Sequence, residues 1–174
     1  MPFQRRLLFT AAMCFFIFAG HGQSSDWQTM QYGKLSLNFP PTWHARTAIR
    51  GDLTMVILTP DSMQHLHWGL ITINTIGMSP GFTFAKFKTE FASRMGRGSN
   101  PDDKVLKTEE ISFKNHETMY GEVIMIGLPA KVYAVHAGTE IYQAIFITRR
   151  HVNIPDSGIE RDEQAILNSI TIAQ

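Results

Sequence analysis

At 174 residues the sequence is long enough for one globular domain behind an export segment, and 44% hydrophobic with 18% charged residues is ordinary for a chain that buries a core. Sixteen Lys and Arg stand against fifteen Asp and Glu; removal of residues 1–22 takes Arg5 and Arg6 with it and leaves a net charge of −1. That balance excludes a binder of nucleic acid or anionic membrane working through a basic surface, and Cys14, the single cysteine, leaves the domain no disulfide or thiol chemistry.

Residues 1–22 read as a secretory signal. Arg5 and Arg6 form a charged start, Leu7 to Ala19 an apolar run, and Gly20-His21-Gly22 offers small residues for cleavage. The run is 13 residues, short of the roughly 17 to 25 that a spanning helix needs, so no stable membrane insertion is expected after cleavage. Met13 precedes Cys14 where a lipid-modified cysteine requires a small residue, and Phe15-Phe16-Ile17-Phe18 continues the apolar run beyond it. The expected location is the periplasm or the outside of the cell. Residues 23–31 read as a polar linker, and residues 32–174 as one domain.

Leu35-Ser36-Leu37-Asn38-Phe39 alternates as a strand and stops at Pro40-Pro41, since proline cannot donate to a sheet ladder. Trp43 to Ile49 and Leu53 to Thr59 read as two strands around the turn Arg50-Gly51-Asp52, and Trp68 to Ile76 as a fourth. Phe84, Phe87, Phe91 and Met95 then fall on one helical stripe, with Lys86, Lys88, Glu90 and Arg94 opposite. Thr83 is a good N-cap, and Phe82 and Phe87 stand at the two positions of a hydrophobic staple. After a polar loop, Gly96 to Asp103, Lys104 to Phe113 returns to strand and Lys114-Asn115-His116 turns the chain back.

Tyr120 to Ile126, Lys131 to Ala137 and Glu140 to Thr148 form three further strands, linked by Gly127-Leu128-Pro129 and Ala137-Gly138-Thr139. The second link is too short for a parallel return and predicts a hairpin. On the last strand Tyr142, Ala144 and Phe146 share one face and Ile141, Ile145 and Ile147 the other, which predicts a mid-sheet strand covered on both sides. Beyond a loop containing Pro155, Ser157 and Glu160 match a capping box for a helix to about Asn168, and Ile170 to Ile172 reads as a last strand.

Phe39-Pro40-Pro41-Thr42-Trp43, Gly127-Leu128-Pro129-Ala130 and Ile166-Leu167-Asn168-Ser169-Ile170, in this order of elements, resemble the PsbP-like superfamily, which includes exported bacterial (DcrB-like) proteins. The resemblance spans nearly the whole domain. It implies an α+β fold, an α/β/α sandwich with a central, mostly antiparallel sheet and two helices. It also implies a non-enzymatic binding or accessory role.

Two constellations bear on chemistry. Gly77-Met78-Ser79-Pro80-Gly81 fits G-x-S-x-G between a strand and a helix, with Asp102, Asp103, His116 and His136 following in the chain order of a hydrolase. The residue after the serine must supply an oxyanion-hole N–H, and Pro80 has none. The pentapeptide therefore reads as a strand-to-helix turn, with the Ser79 hydroxyl free to help start the helix near Thr83. His65-Leu66-His67 places two imidazoles on one face of an extended segment, which suits Zn²⁺ or Cu²⁺; a third ligand would have to come from Asp61, His44 or another distant position. No phosphate-binding glycine loop or CxxC pair is present in the sequence, and no cofactor is expected. The function these observations predict is non-catalytic binding in the bacterial envelope, with a protein as partner; metal binding through His65 and His67 is the second reading, and a small serine hydrolase the third.

Overall fold

The computed structural model describes residues 26–50, 53–61, 70–96, 102–147 and 158–173. Among the described residues ten strands and two helices follow one another as β1 (Gln28–Tyr32), β2 (Leu35–Phe39), β3 (Trp43–Arg50), β4 (Leu53–Pro60), β5 (Ile71–Gly77), α1 (Phe84–Met95), β6 (Lys104–Phe113), β7 (His116–Met125), β8 (Leu128–Ala137), β9 (Glu140–Ile147), α2 (Ile159–Ser169) and β10 (Thr171–Ile172). Seven strands make one sheet in the order β3-β4-β5-β9-β8-β7-β6, every pair antiparallel. A second, three-stranded sheet runs β1-β2-β10. The expected hairpin between β8 and β9 is present, with Ala137 opposite Glu140. β9 lies mid-sheet between β5 and β8, its side chains buried on both faces as its sequence predicts.

Side-chain alternation sorts the two faces of the large sheet. Gly121, His136 and Gln143 share one face, and α1 covers it: an added Cβ at Gly121 would come 3.1 Å from the Phe91 ring, and the Gln143 amide donates to the Met95 sulfur at 3.6 Å. Phe84, Phe87 and Phe91 are buried beneath the helix, the stripe read from the sequence. Tyr142, Ala144 and Phe146 face the other way, toward the small sheet and α2. There the Lys34 N–H donates to the Tyr142 hydroxyl (2.8 Å), which donates to Glu140 Oε2 (2.7 Å). The Trp43 indole N–H donates to Asp162 Oδ2 (3.3 Å), tying α2 to the start of β3. One continuous core joins both sheets and both helices.

Three local expectations are corrected. β1 lies mostly within the span expected as linker, residues 23–31; its QTMQY sequence hid it because only Tyr32 is buried. The β7–β8 turn falls at Ile126-Gly127 rather than at Gly127-Leu128-Pro129, both residues having positive φ (50° and 76°), so Leu128 and Pro129 open β8. Helix α2 is capped by Gly158 in the left-handed region, φ 80°, with no side-chain cap, and Glu160 sits in its first turn; Ser157 lies outside the described residues. The last strand, expected over Ile170 to Ile172, is β10 (Thr171–Ile172) and joins the small sheet beside β2. Among the described residues no helix is long and apolar enough to cross a membrane. The signal segment, residues 1–22, lies outside them.

Candidate functional site

The link from β5 to α1 bends over the β8–β9 turn. Met78 N–H donates to Thr139 O (2.9 Å), and Ser79 and Phe82 exchange backbone hydrogen bonds across Pro80-Gly81 (3.1 and 2.8 Å). One residue later Thr83 caps α1, its Oγ1 accepting from the Lys86 N–H at 3.3 Å, while Phe82 packs edge-on against Phe87 at 6.3 Å. Cap and staple both match the sequence reading, because both are encoded by residues only a few positions apart.

Between this link, the N-terminal half of α1 and the ends of β7 and β8 opens a cleft of about 550 Å³. That lies within the range of small-ligand sites. Met78, Pro80, Phe82, Phe84 and Ala85 provide apolar lining, and Ser79, Thr83, Lys88, Glu117, His136 and Thr139 provide polar atoms. His136 is stacked on Phe84, with ring centroids 4.6 Å apart and planes within 15°. Its Nδ1 lies 3.3 Å from Glu117 Oε2 and its Nε2 lies 3.1 Å from Gly138 O. Both neighbours are acceptors, so a singly protonated ring donates to only one of them. Lys88 Nζ lies 2.8 Å from Glu110 Oε1 and 5.6 Å from the centre of the Phe84 ring; its hydrogen bond to Glu110 holds its pKa above the usual lysine value. The rim thus sets one ion pair and a carboxylate-facing histidine around an aromatic floor.

The structure brings Ser79 and His136 into this one cleft and scatters the other hydrolase candidates. His116 Nδ1 is hydrogen-bonded to His136 O (3.1 Å) behind the cleft, and Asp103 accepts the Ile126 N–H at the distant β7–β8 turn. The ring nitrogens of His136 face Glu117 Oε2 and Gly138 O. The Ser79 backbone closes its own small turn, so the role expected for it in starting the helix belongs to Thr83 alone. Sequence reasoning missed Glu117 and Lys88 as site residues. Glu117 reaches His136 only through the β7–β8 register, which no spacing in the chain announces.

His65 and His67 lie outside the described residues. Of the further ligands considered for them, His44 and Asp61 do come together, with His44 Nε2 2.6 Å from Asp61 Oδ1 at the joined ends of β3 and β4. Among the described residues no three His, Cys, Asp or Glu side chains converge as a metal cluster.

No protein-family profile and no curated protein sequence matches this chain. Among solved structures, it is similar to the cyanobacterial PsbP (CyanoP) of Synechocystis sp. PCC 6803, with a TM-score of 0.56 and 10% identity over 88% of this chain and 96% of that one. A Bacteroides thetaiotaomicron VPI-5482 structure matches at a TM-score of 0.45 and 9% identity, over 81% and 46% of the two chains. A Pseudomonas aeruginosa protein of unknown function matches at 0.47 and 11%, over 86% and 98%. With two helices around a mostly antiparallel sheet and the CyanoP match running nearly end to end, the chain has the PsbP-like fold expected from its sequence.

Proposed function

We propose that this protein is an exported, non-catalytic binding protein of the bacterial envelope, and that its cleft at the start of α1 receives an apolar side chain of a protein partner. The observation that carries this reading is the cleft itself: an aromatic and methionine lining with Lys88, held by Glu110 beside it, and the polar side chains of Glu117 and His136 at its rim. A mixed apolar floor and paired polar rim is how protein-binding surfaces are built. Two features support a role without catalysis. Pro80 has no N–H to offer an oxyanion, and the ring nitrogens of His136 face Glu117 and Gly138 O, not Ser79.

Filling the cleft tests the proposal. Ala85 is exposed at its mouth, so Ala85→Trp occupies the space without touching the core. Crosslinked pull-downs from envelope extracts are expected to capture a protein with the native chain that is lost with Ala85→Trp. An identical set of captured proteins from both chains, or none from either, counts against it. A fluorophosphonate probe is expected to leave Ser79 unlabelled, and stoichiometric labelling abolished by Ser79→Ala would establish the hydrolase reading instead.

A second reading, Zn²⁺ or Cu²⁺ binding through His65 and His67, is favoured by one observation: Asp61, which lies four and six residues of chain before those histidines, is paired with His44. Calorimetric titration separates the two readings. Tight binding lost in His65→Ala with His67→Ala supports the metal, and no heat of binding removes it.

A further inference from the structure

The two ends of the seven-stranded sheet are finished differently. β6 is broken by a bulge between Val105 and Lys107 and carries Lys104, Lys107, Glu109 and Glu110, devices that keep an edge from pairing. β3 has no bulge and no proline. Its eight residues pair with β4 in unbroken register from Trp43↔Pro60 to Arg50↔Leu53, and among the described residues no strand pairs with its outer side. Ile49 on this strand is also the most exposed large hydrophobic side chain among the described residues, at 77%.

The hydrogen bonds of β3 define what could pair with it. Asp61 N–H donates to Thr42 O (2.8 Å), so Thr42 and Asp61 form a hydrogen-bonded pair and the pairs alternate from there. The backbone groups of His44, Arg46 and Ala48 therefore point at β4, and those of Ala45, Thr47 and Ile49 point outward. Trp43 also points outward, but its N–H is already bonded to Pro40 O at 3.0 Å.

We propose that the occupant of this edge is a second copy of the chain, its β3 antiparallel to the first about a two-fold axis through Thr47. In that register Thr47 faces Thr47, and Ala45 faces Ile49 on either side. These are the residues whose backbone groups point outward, so the two edges exchange about six N–H···O=C bonds. Each exposed Ile49 lies beside Ala45 of the other copy, and each Arg46 lies opposite Ala48. An axis through Arg46 sets the two arginines against each other and matches Ile49 with Trp43, whose N–H is taken. An axis through Ala48 leaves Ala45 opposite residue 51, beyond the strand. Hydrogen-bond direction selects this register, which also keeps the two Arg46 side chains from standing directly opposite each other, and the faces of the sheet are preserved across the dyad.

Sedimentation of the native chain over a concentration series up to ~100 µM, where a weak interface is populated, tests this directly. The expected result is a reversible dimer. Thr47→Pro removes the outward N–H at the axis but none of the β3–β4 bonds, and is expected to give a folded monomer. Ala48→Glu, placed opposite Arg46, is expected to tighten the dimer by about two- to five-fold and Ala48→Arg to weaken it by a similar factor. A native chain that stays monomeric overturns the proposal, as does a dimer that persists in folded Thr47→Pro. If Thr47→Pro fails to fold, the Ala48 variants decide: equal dissociation constants for Glu and Arg overturn it.

Discussion

Ile126 shows how a single position can be strained for want of a better residue. It precedes Gly127 in a two-residue turn where both φ angles are positive, a region that β-branched residues avoid, and its side chain is half exposed with nothing to gain by burial. Ile126→Asn supplies the Asn-Gly pair that such turns favour and keeps the N–H that Asp103 accepts. Chemical denaturation is expected to show stabilisation by about 1 kcal/mol; no gain would mean that the strain is relieved elsewhere. Tyr142 is the opposite case, a residue whose surroundings are built around it. Gly33, at φ 60°, brings the β1–β2 turn so close that an added Cβ would lie 2.6 Å from the Tyr142 hydroxyl. Burial, with smaller effects from Glu140, pushes the Tyr142 hydroxyl up to about 12. The neutral form is thus favoured in the folded chain relative to an unfolded tyrosine near 10. The folded state holds more protons than the unfolded one between those values, so this contribution is whole below about pH 10 and is lost as pH rises toward 12. Stability against urea is expected to fall over that window, and less steeply in Tyr142→Phe. Some slope remains in that variant, because burial also raises Tyr120 and Tyr133.

At the scale of elements, α1 is the part most completely written in its own residues. Its bounds, cap, staple and buried stripe follow from spacings of three and four and from the residue before Phe84. Where it rests was not written there. The helix comes down on β7 at Gly121, where the Phe91 ring would lie 3.1 Å from an added Cβ. Gly121→Val is therefore expected to cost about 1–3 kcal/mol by overpacking, read as a lower denaturation midpoint. An unchanged midpoint would show that Phe91 can shift. The strands divide in the same way. β9 announces a central position because both its faces are apolar, whereas β1 is nearly silent because it buries one tyrosine and shows the rest to solvent. The cleft lies between these cases: Ser79 and His136 were visible as reactive residue types, but their shared site with Glu117 and Lys88 is made by a helix start and a cross-strand register.

For the molecule as a whole, the continuous core across both sheets and both helices predicts a single cooperative unfolding transition. Near- and far-ultraviolet circular dichroism are expected to report the same midpoint. An earlier near-ultraviolet transition would show the layer of β1, β2, β10 and α2 releasing first from Tyr142 and Trp43. The sequence by itself determined most of the elements, the central place of β9, the apolar face of α1 and the PsbP-like architecture. Alternation and helical spacing are properties of a few neighbouring residues, and solvent sorts them before any distant contact forms. Only the tertiary structure decided that β10 pairs with β2, that β1 exists at all, and that Glu117 meets His136 beside Ser79. Those outcomes depend on registers between segments up to 137 residues apart, such as Ile172 opposite Leu35. Such registers follow from how the faces of the whole core fit together, and no single segment carries that fit.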